Sequence, residues 1–147
     1  MYRFITSIPV NLGRWVSIDN KHGIDRGEGF RELYFEEAVM DWSWFPKNSY
    51  GKFYIEMKRD RKSGEGKVEA QLSWVKAVRD GGAGKFNRIE GAIIEESQFR
   101  PWELYETDYF KLPEWKGPVL LYLMGRTEGD AVLAVAMFTL AVFEKVE

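Results

Sequence analysis

The chain of 147 residues has no cysteine and only one histidine, His22. Without cysteine there is no disulfide framework and no thiolate metal site, and one histidine cannot supply the ligand set of a typical zinc centre. The glycine-rich segment 81–84 is not followed by Lys-Ser or Lys-Thr, so it lacks the pattern of a phosphate-binding loop. We therefore expect no metal ion and no cofactor.

Charge of one sign and long apolar runs are also absent. The chain has 21 basic and 23 acidic residues, a net charge of −2, so no overall field favours nucleic acid as a partner. The apolar run Ala131–Phe143 is shorter than the roughly 20 residues of a membrane-spanning helix, which predicts no membrane partner. The first residues contain no apolar stretch typical of a secretion signal, so we expect no export.

Aromatic residues are abundant instead, at 16% of the chain, and they favour strands, cores and interfaces. Strand patterns are predicted for Tyr2–Ile8, stopped at Pro9, for Arg14–Ile18 and for Leu33–Phe45, on which Trp42 and Trp44 would share a face. Between them, the turn formers of 19–29 predict an exposed loop.

Two alternating segments, Gly51–Arg59 and Val68–Val78, flank the charged, glycine-containing segment 60–66 and predict an antiparallel hairpin. A strand candidate over 86–96 follows. The last third adds an alternating segment over 102–113, a buried run at Val119–Met124 and a core strand at Ala131–Phe143. With about eight or nine strands and no helical pattern, residues 1–147 are predicted to form one all-β domain, an antiparallel, jelly-roll-like β-sandwich.

The segments Pro101–Tyr105, Phe110–Pro113, Val119–Tyr122 and Leu133–Val142 together resemble the C-terminal half of jelly-roll carbohydrate-binding modules. The resemblance covers about a third of the chain. It implies two sheets around a core, with sugars stacking on aromatic residues. Members of that family often have an acidic residue in the last strand that helps to hold calcium, and Ala131–Phe143 has none.

Candidate contact residues fall into two groups. Trp42, Trp44, Tyr50 and Trp115 are aromatic candidates for a protein interface or for sugar stacking, with the core as the alternative for each tryptophan. Lys58, Arg59, Arg61 and Lys62 surround the predicted hairpin turn and are candidates for contact with an anionic partner, while a solvated turn is the simpler interpretation.

Candidate catalytic sets are weaker. His22 with Asp19, Asp25 and nearby serines would resemble a hydrolytic triad, but all lie in one glycine-punctuated loop. Glu106 and Asp108 would share one face of a strand, as the paired carboxylates of a glycosidase can, and the wet face of a strand is the simpler interpretation. We therefore expect no enzyme.

Three functions remain open, in order of preference. The first is a non-catalytic assembly protein that works through subunit contacts, as a capsid, decoration or tail accessory subunit of a virus of bacteria or archaea; single jelly rolls of this size are common among such proteins. It would be located in the virion, or in the cytoplasm before assembly. The second is a glycan-binding module, and the third is a small glycoside hydrolase.

Overall fold

The computed structural model describes residues 1–35, 38–60, 66–77 and 85–147. Within these ranges the chain forms ten β-strands and one turn of 3₁₀ helix. The strands are β1 (Tyr2–Ile18), β2 (Arg31–Phe35), β3 (Met40–Asp41), β4 (Ser49–Arg59), β5 (Val68–Lys76), β6 (Asn87–Glu96), β7 (Arg100–Glu106), β8 (Phe110–Lys111), β9 (Pro118–Thr127) and β10 (Leu133–Lys145), with the 3₁₀ helix at Trp42–Trp44. The all-β class predicted from the sequence is confirmed.

The strands form two antiparallel sheets. The first sheet has the order β1-β10-β4-β7, and β8 also pairs with β4. The second sheet has the order β2-β9-β5-β6, and β3 also pairs with β9. Their inner faces enclose one main core, as in a β-sandwich.

The pairing of the eight long strands is nested. The first pairs with the last (β1 and β10), the second with the seventh (β2 and β9), the third with the sixth (β4 and β7), and the fourth with the fifth (β5 and β6). This is the pattern of a hairpin of strand pairs rolled into two sheets, which is a jelly roll. The predicted jelly-roll-like sandwich is confirmed.

The core follows the period-two alternation of the strands. Phe53, Ile55 and Met57 of β4 are fully buried, as the alternation predicts, and the core strand expected over Ala131–Phe143 is β10. Gly51 lets a neighbouring ring approach closely, since a Cβ there would lie 2.7 Å from Cε1 of Phe110. The tight packing explains why β4 has a glycine opposite Phe110 of β8.

The predicted hairpin of Gly51–Arg59 with Val68–Val78 is wrong. β4 lies in the first sheet and β5 in the second, so the two strands are not paired with each other. The alternation showed which residues face inward but not which strand lies alongside. Residues expected to point into water on β5, namely Glu69, Gln71 and Ser73, are also buried.

Three further strand predictions change. Pro9 does not end the first strand, because β1 is an outer strand of its sheet, where a residue without N–H is tolerated. The segment 33–45 breaks where the Asp41 carboxylate accepts hydrogen bonds from the Ser43 N–H and hydroxyl, and this starts the 3₁₀ helix. The segment 102–113 is interrupted at Thr107, whose hydroxyl accepts from the N–H of Phe53 in β4.

Candidate functional site

The outer face of the first sheet carries most of the molecule's outward-facing aromatic rings. Outward positions on β4 hold long side chains such as Tyr54 and Glu56, whereas β10 presents Ala134 and Ala141, whose neighbours on β1 are Ser17 and Ser7. The aromatic rings form two groups, one at each end of the sheet.

The tyrosine patch occupies one end and consists of Tyr2, Phe4, Tyr50, Tyr109 and Phe143. Tyr2 stacks on Tyr109 with ring centroids 3.7 Å apart and meets the edge of Tyr50 at 5.4 Å. Phe143 packs edge-on against Phe4 at 5.8 Å and against Tyr109 at 5.1 Å. The rings support one another, yet Phe4 remains 58% exposed. The patch is thus an ordered aromatic surface open to a partner.

Charged groups of both signs surround the tyrosine patch. The Lys52 ammonium lies 4.9 Å from the centroid of the Tyr109 ring and donates to the Glu106 carboxylate at 3.0 Å. This hydrogen bond raises the pKa of Lys52 and lowers that of Glu106. Lys145 lies at the same end, with its ammonium 5.8 Å from the centroid of the Tyr50 ring. The patch therefore has an apolar centre and a rim with both charges.

The tryptophan groove occupies the other end and is lined by Asn11, Gly13, Arg14, Trp15, Glu56, Trp102 and Ala136, with a volume of about 400 Å³. Trp15 on β1 and Trp102 on β7 stand on either side of Lys58. The Lys58 ammonium lies 5.5 Å from the centroid of one indole and 5.3 Å from that of the other. It also pairs with Asp60 at 3.4 Å. The groove thus combines two indole rings with polar side chains.

The outer face of the second sheet differs because a strap of the chain, residues 25–30, covers it. Phe30 is 4% exposed and packs with Val75, Tyr122 and Met124 in a second small core. Arg126 fixes the strap: its guanidinium lies 4.1 Å from the centroid of the Phe30 ring. The same group makes a two-bond contact with the buried Glu69 carboxylate, at 2.9 Å for each bond, and donates to the Glu28 carbonyl.

Of the predicted aromatic candidates, Trp42 must be corrected. It is 4% exposed, belongs to the core and meets Trp74 edge-on at 6.2 Å, so it is not part of a surface. The 3₁₀ turn places Trp42 inward and leaves Trp44 66% exposed, so the two do not share a strand face. Trp115 is partly exposed, with the Lys76 ammonium 3.7 Å from its ring centroid. Tyr50 lies in the tyrosine patch, apart from Trp42 in the core.

The predicted basic cluster is also divided. Arg59 is 2% exposed, and its guanidinium donates to the Gly66 carbonyl at 2.8 and 3.0 Å, so it is not a surface contact. Its inward parity on β4, shared with Met57, is the physical reason. Lys58 faces outward into the tryptophan groove. Arg61 and Lys62 lie outside the described residues.

The catalytic candidates do not form a constellation among the described residues. His22 contacts Asp19 at 2.9 Å but its side chain is 83% exposed, and the Ser17 hydroxyl of the same pocket makes no hydrogen bond to it. Asp108 lies beyond the end of β7, so it does not continue a strand face with Glu106. In the part of the chain that the structure describes, there is no metal-binding cluster of acidic or histidine side chains and no helix long and apolar enough to cross a membrane.

Sequence reasoning missed most of both surfaces. Tyr2 and Phe4 share a parity with the inward-facing Ile8, but an irregularity between Phe4 and Thr6 reverses the direction of the side chains. Trp15 and Trp102 lie far apart in the chain and meet only through the strand order. The available signal was their outward parity relative to Val16 and Tyr105, but it carries no information on which strands neighbour each other.

Comparisons with known proteins give no family for this chain: no family model matches, and no curated protein matches. Among solved structures, it is similar to a chain in the structure of infectious bursal disease virus, Gx strain, at 14% identity and a TM-score of 0.42; the match covers 100% of this chain and 37% of the other. The infectious bursal disease virus VP2 subviral particle matches at 14% identity and a TM-score of 0.42, over 99% and 38%. The chain thus spans less than two fifths of either, and its own strand pairing defines its fold.

Proposed function

We propose that this protein is a non-catalytic structural subunit that assembles through the tyrosine patch with further copies of itself. The carrying observation is the ordered ring cluster on an otherwise open sheet face. Aromatic residues are enriched at protein interfaces, and clustered exposed apolar side chains mark interaction surfaces. Stacking of Tyr2 on Tyr109 keeps the rings in place before a partner arrives, which reduces the entropy that binding costs.

The rim of the patch supports a second copy as the partner. A two-fold interface joins the same surface on both subunits, so it must be complementary to itself. The patch offers this, since Lys52 and Glu106 stand at one side and Lys145 stands beside Tyr50, with uncharged rings in the centre. A rim of one sign would repel its own copy.

The finer proposal is that the assembly is part of a virion, as a capsid, decoration or tail accessory subunit. A jelly roll presents a flat sheet face and leaves its loops free at the ends, which suits a subunit of a closed shell or ring. Exposed Trp44 and Trp115 are candidates for contacts with other subunits of such a particle.

The experiment is light scattering of the purified chain after size exclusion at micromolar concentration, followed by electron microscopy. We expect a defined oligomer, and rings or shells at higher concentration. Phe4→Glu places a charge at the exposed ring of the patch and should dissociate the oligomer while the separated subunit stays folded. Ile24→Glu, at a 66% exposed position of the loop before the strap, is the matched control and should leave assembly unchanged.

A chain that stays monomeric at all concentrations would sink the assembly proposal. If the oligomer persists in the Phe4→Glu variant, the subunit interface lies on another surface, and the proposal that the tyrosine patch forms it is wrong. A dimer without rings or shells would retain the patch and contradict the virion role.

A further inference from the structure

The tryptophan groove has the composition of a ligand site rather than of a second assembly surface. Its floor is formed by Ala136 of β10, where the strands on both sides contribute larger residues. Neighbouring strands are about 4.8 Å apart, so β1 and β7 stand roughly 14 Å from each other across the sheet. The two indoles thus stand on either side of this surface with the Lys58 ammonium between them, and the open groove lies over Glu56 and Ala136.

The polar side chains of the groove have unused hydrogen-bonding capacity. Among the described residues, neither Glu56 nor Arg14 has a hydrogen bond or ion pair with another side chain, although both line the groove. The Asn11 side-chain oxygen accepts from the Gly13 N–H at 2.9 Å, which leaves its amide group free to donate. A carboxylate, a guanidinium and an amide therefore point to a partner rich in donors and acceptors.

We propose that the tryptophan groove binds carbohydrate, a function separate from assembly. A sugar ring has an apolar face of C–H groups that can stack on an indole, and hydroxyl groups around its edge that both donate and accept. The groove offers both complements within one site: Trp15 and Trp102 for the ring faces, and Glu56, Arg14 and Asn11 for the hydroxyls. An apolar protein segment would leave these polar groups buried without partners, at a cost in free energy.

The charge balance of the groove disfavours nucleic acid. Lys58 is partly neutralised by Asp60, and Glu56 would repel a phosphate next to Arg14. A phosphate backbone needs a row of uncompensated cations, which the described residues of this groove do not offer. A hydroxyl-bearing chain meets no such repulsion.

The test uses the whole chain on a glycan array, followed by calorimetric titration with cellohexaose, chitohexaose and hexagalacturonate and with any array glycan that binds. We expect at least one to bind and to change the tryptophan fluorescence. Trp15→Ala should weaken that binding on the order of tenfold or more, as loss of a central aromatic anchor does. Glu56→Gln should weaken it as well, because it removes the charged acceptor.

Controls separate binding from folding and from assembly. Trp44→Ala removes another exposed indole, at 66% exposure against 55% for Trp15, and should leave the glycan affinity unchanged. Trp102 is half-buried, so Trp102→Phe is added to Trp102→Ala, and both are checked by thermal melting. Phe4→Glu should keep glycan affinity even where it abolishes assembly, so the two proposals can fail independently.

Three results would overturn the proposal. The first is no binding to the array and none to the three oligosaccharides at millimolar concentration. The second is binding that persists unchanged in both Trp15→Ala and Trp102→Phe. A change of assembly state in Trp15→Ala without loss of glycan binding would also contradict it, since the groove would then be a subunit contact.

Discussion

The two outer faces of this sandwich differ in how their outward-pointing side chains are covered. The second sheet buries its outward side chains under the 25–30 strap and a network of ion pairs around Arg126, whereas the first sheet leaves its aromatic rings open. Phe30 and Phe4 show the contrast, with exposures of 4% and 58%. The chain itself covers the outer face of the second sheet, whereas the rings on the outer face of the first sheet remain exposed.

β5 is buried on both sides because the strap and the irregular part of β6 cover its outer face. Gln71 points outward, yet the two N–H groups of its amide are shared among the carbonyls of Leu72, Ile89 and Ala92, at 2.9 to 3.1 Å, and the last two lie in the irregular part of β6. These hydrogen bonds of a buried amide fix the sheet locally. The second sheet thus contributes rigidity, and the first sheet can expose rings without losing the fold.

The largest expected difference between the two faces is in the free energy of unfolding lost by Phe30→Ala and by Phe4→Ala. Loss of the buried ring should lower the free energy of unfolding by about 3 kcal/mol, because burial is lost and a cavity remains. Loss of the exposed ring should change it by less than about 0.5 kcal/mol. Denaturant unfolding of both variants measures the difference. Equal losses would show that the tyrosine patch is part of the folded core after all.

A somewhat smaller effect is expected from removing the cation on each face. Arg126→Ala leaves the buried Glu69 carboxylate without its guanidinium and should cost about 2 to 3 kcal/mol, at the low end for a buried pair because Arg126 is partly exposed. Lys52→Ala breaks the exposed pair with Glu106 and should cost less than about 1 kcal/mol. The double change Arg126→Met with Glu69→Leu should recover part of the first loss. If it recovers nothing, packing of Phe30 rather than charge holds the strap.

The sequence predicted the architecture well because alternation is a local signal. The inward parity of Phe53, Ile55 and Met57 could be seen directly, and so could the buried run that became β10. What no local pattern contains is the partner of a strand. The charged segment after Arg59 has the composition of a hairpin turn, yet the strands on its two sides lie in different sheets, and β4 pairs with β10 and β7 instead of β5.

The tyrosine patch and the tryptophan groove could not be predicted, because both depend on which strands are neighbours in the sheet. Tyr2 and Tyr109 stack although the chain between them is more than 100 residues long, because β1 and β8 lie on the same sheet. Trp42 and Trp44 have the spacing of a strand face, but the Asp41 carboxylate caps a tight turn that separates them. A spacing of two residues predicts a shared face only where the backbone stays extended.

The smallest expected effect is the pH dependence of stability contributed by one carboxyl group on each face. Hydrogen bonds from the N–H groups of Gly27 and Gly29 lower the pKa of Asp25 in the strap, and the hydrogen bond from Lys52 lowers that of Glu106 on the open face. A carboxyl group with a lowered pKa stabilises the fold above its ordinary value, 3.8 for Asp25 and 4.5 for Glu106. That stability is lost as the pH falls through the lowered value. Both contributions should therefore be lost as the pH falls below these ordinary values.

Salt separates the two groups. The exposed ion pair of Glu106 is screened at high ionic strength, whereas the short N–H bonds to Asp25 are not. In 0.5 M salt, Asp25→Ala should still reduce the decrease of the unfolding midpoint at low pH, whereas Glu106→Gln should no longer change this decrease. The measurement is denaturant unfolding between pH 7 and pH 2.5 at two salt concentrations. Equal salt sensitivity of the two variants would mean that Asp25 acts on the strap through its charge and not through the turn that it shapes.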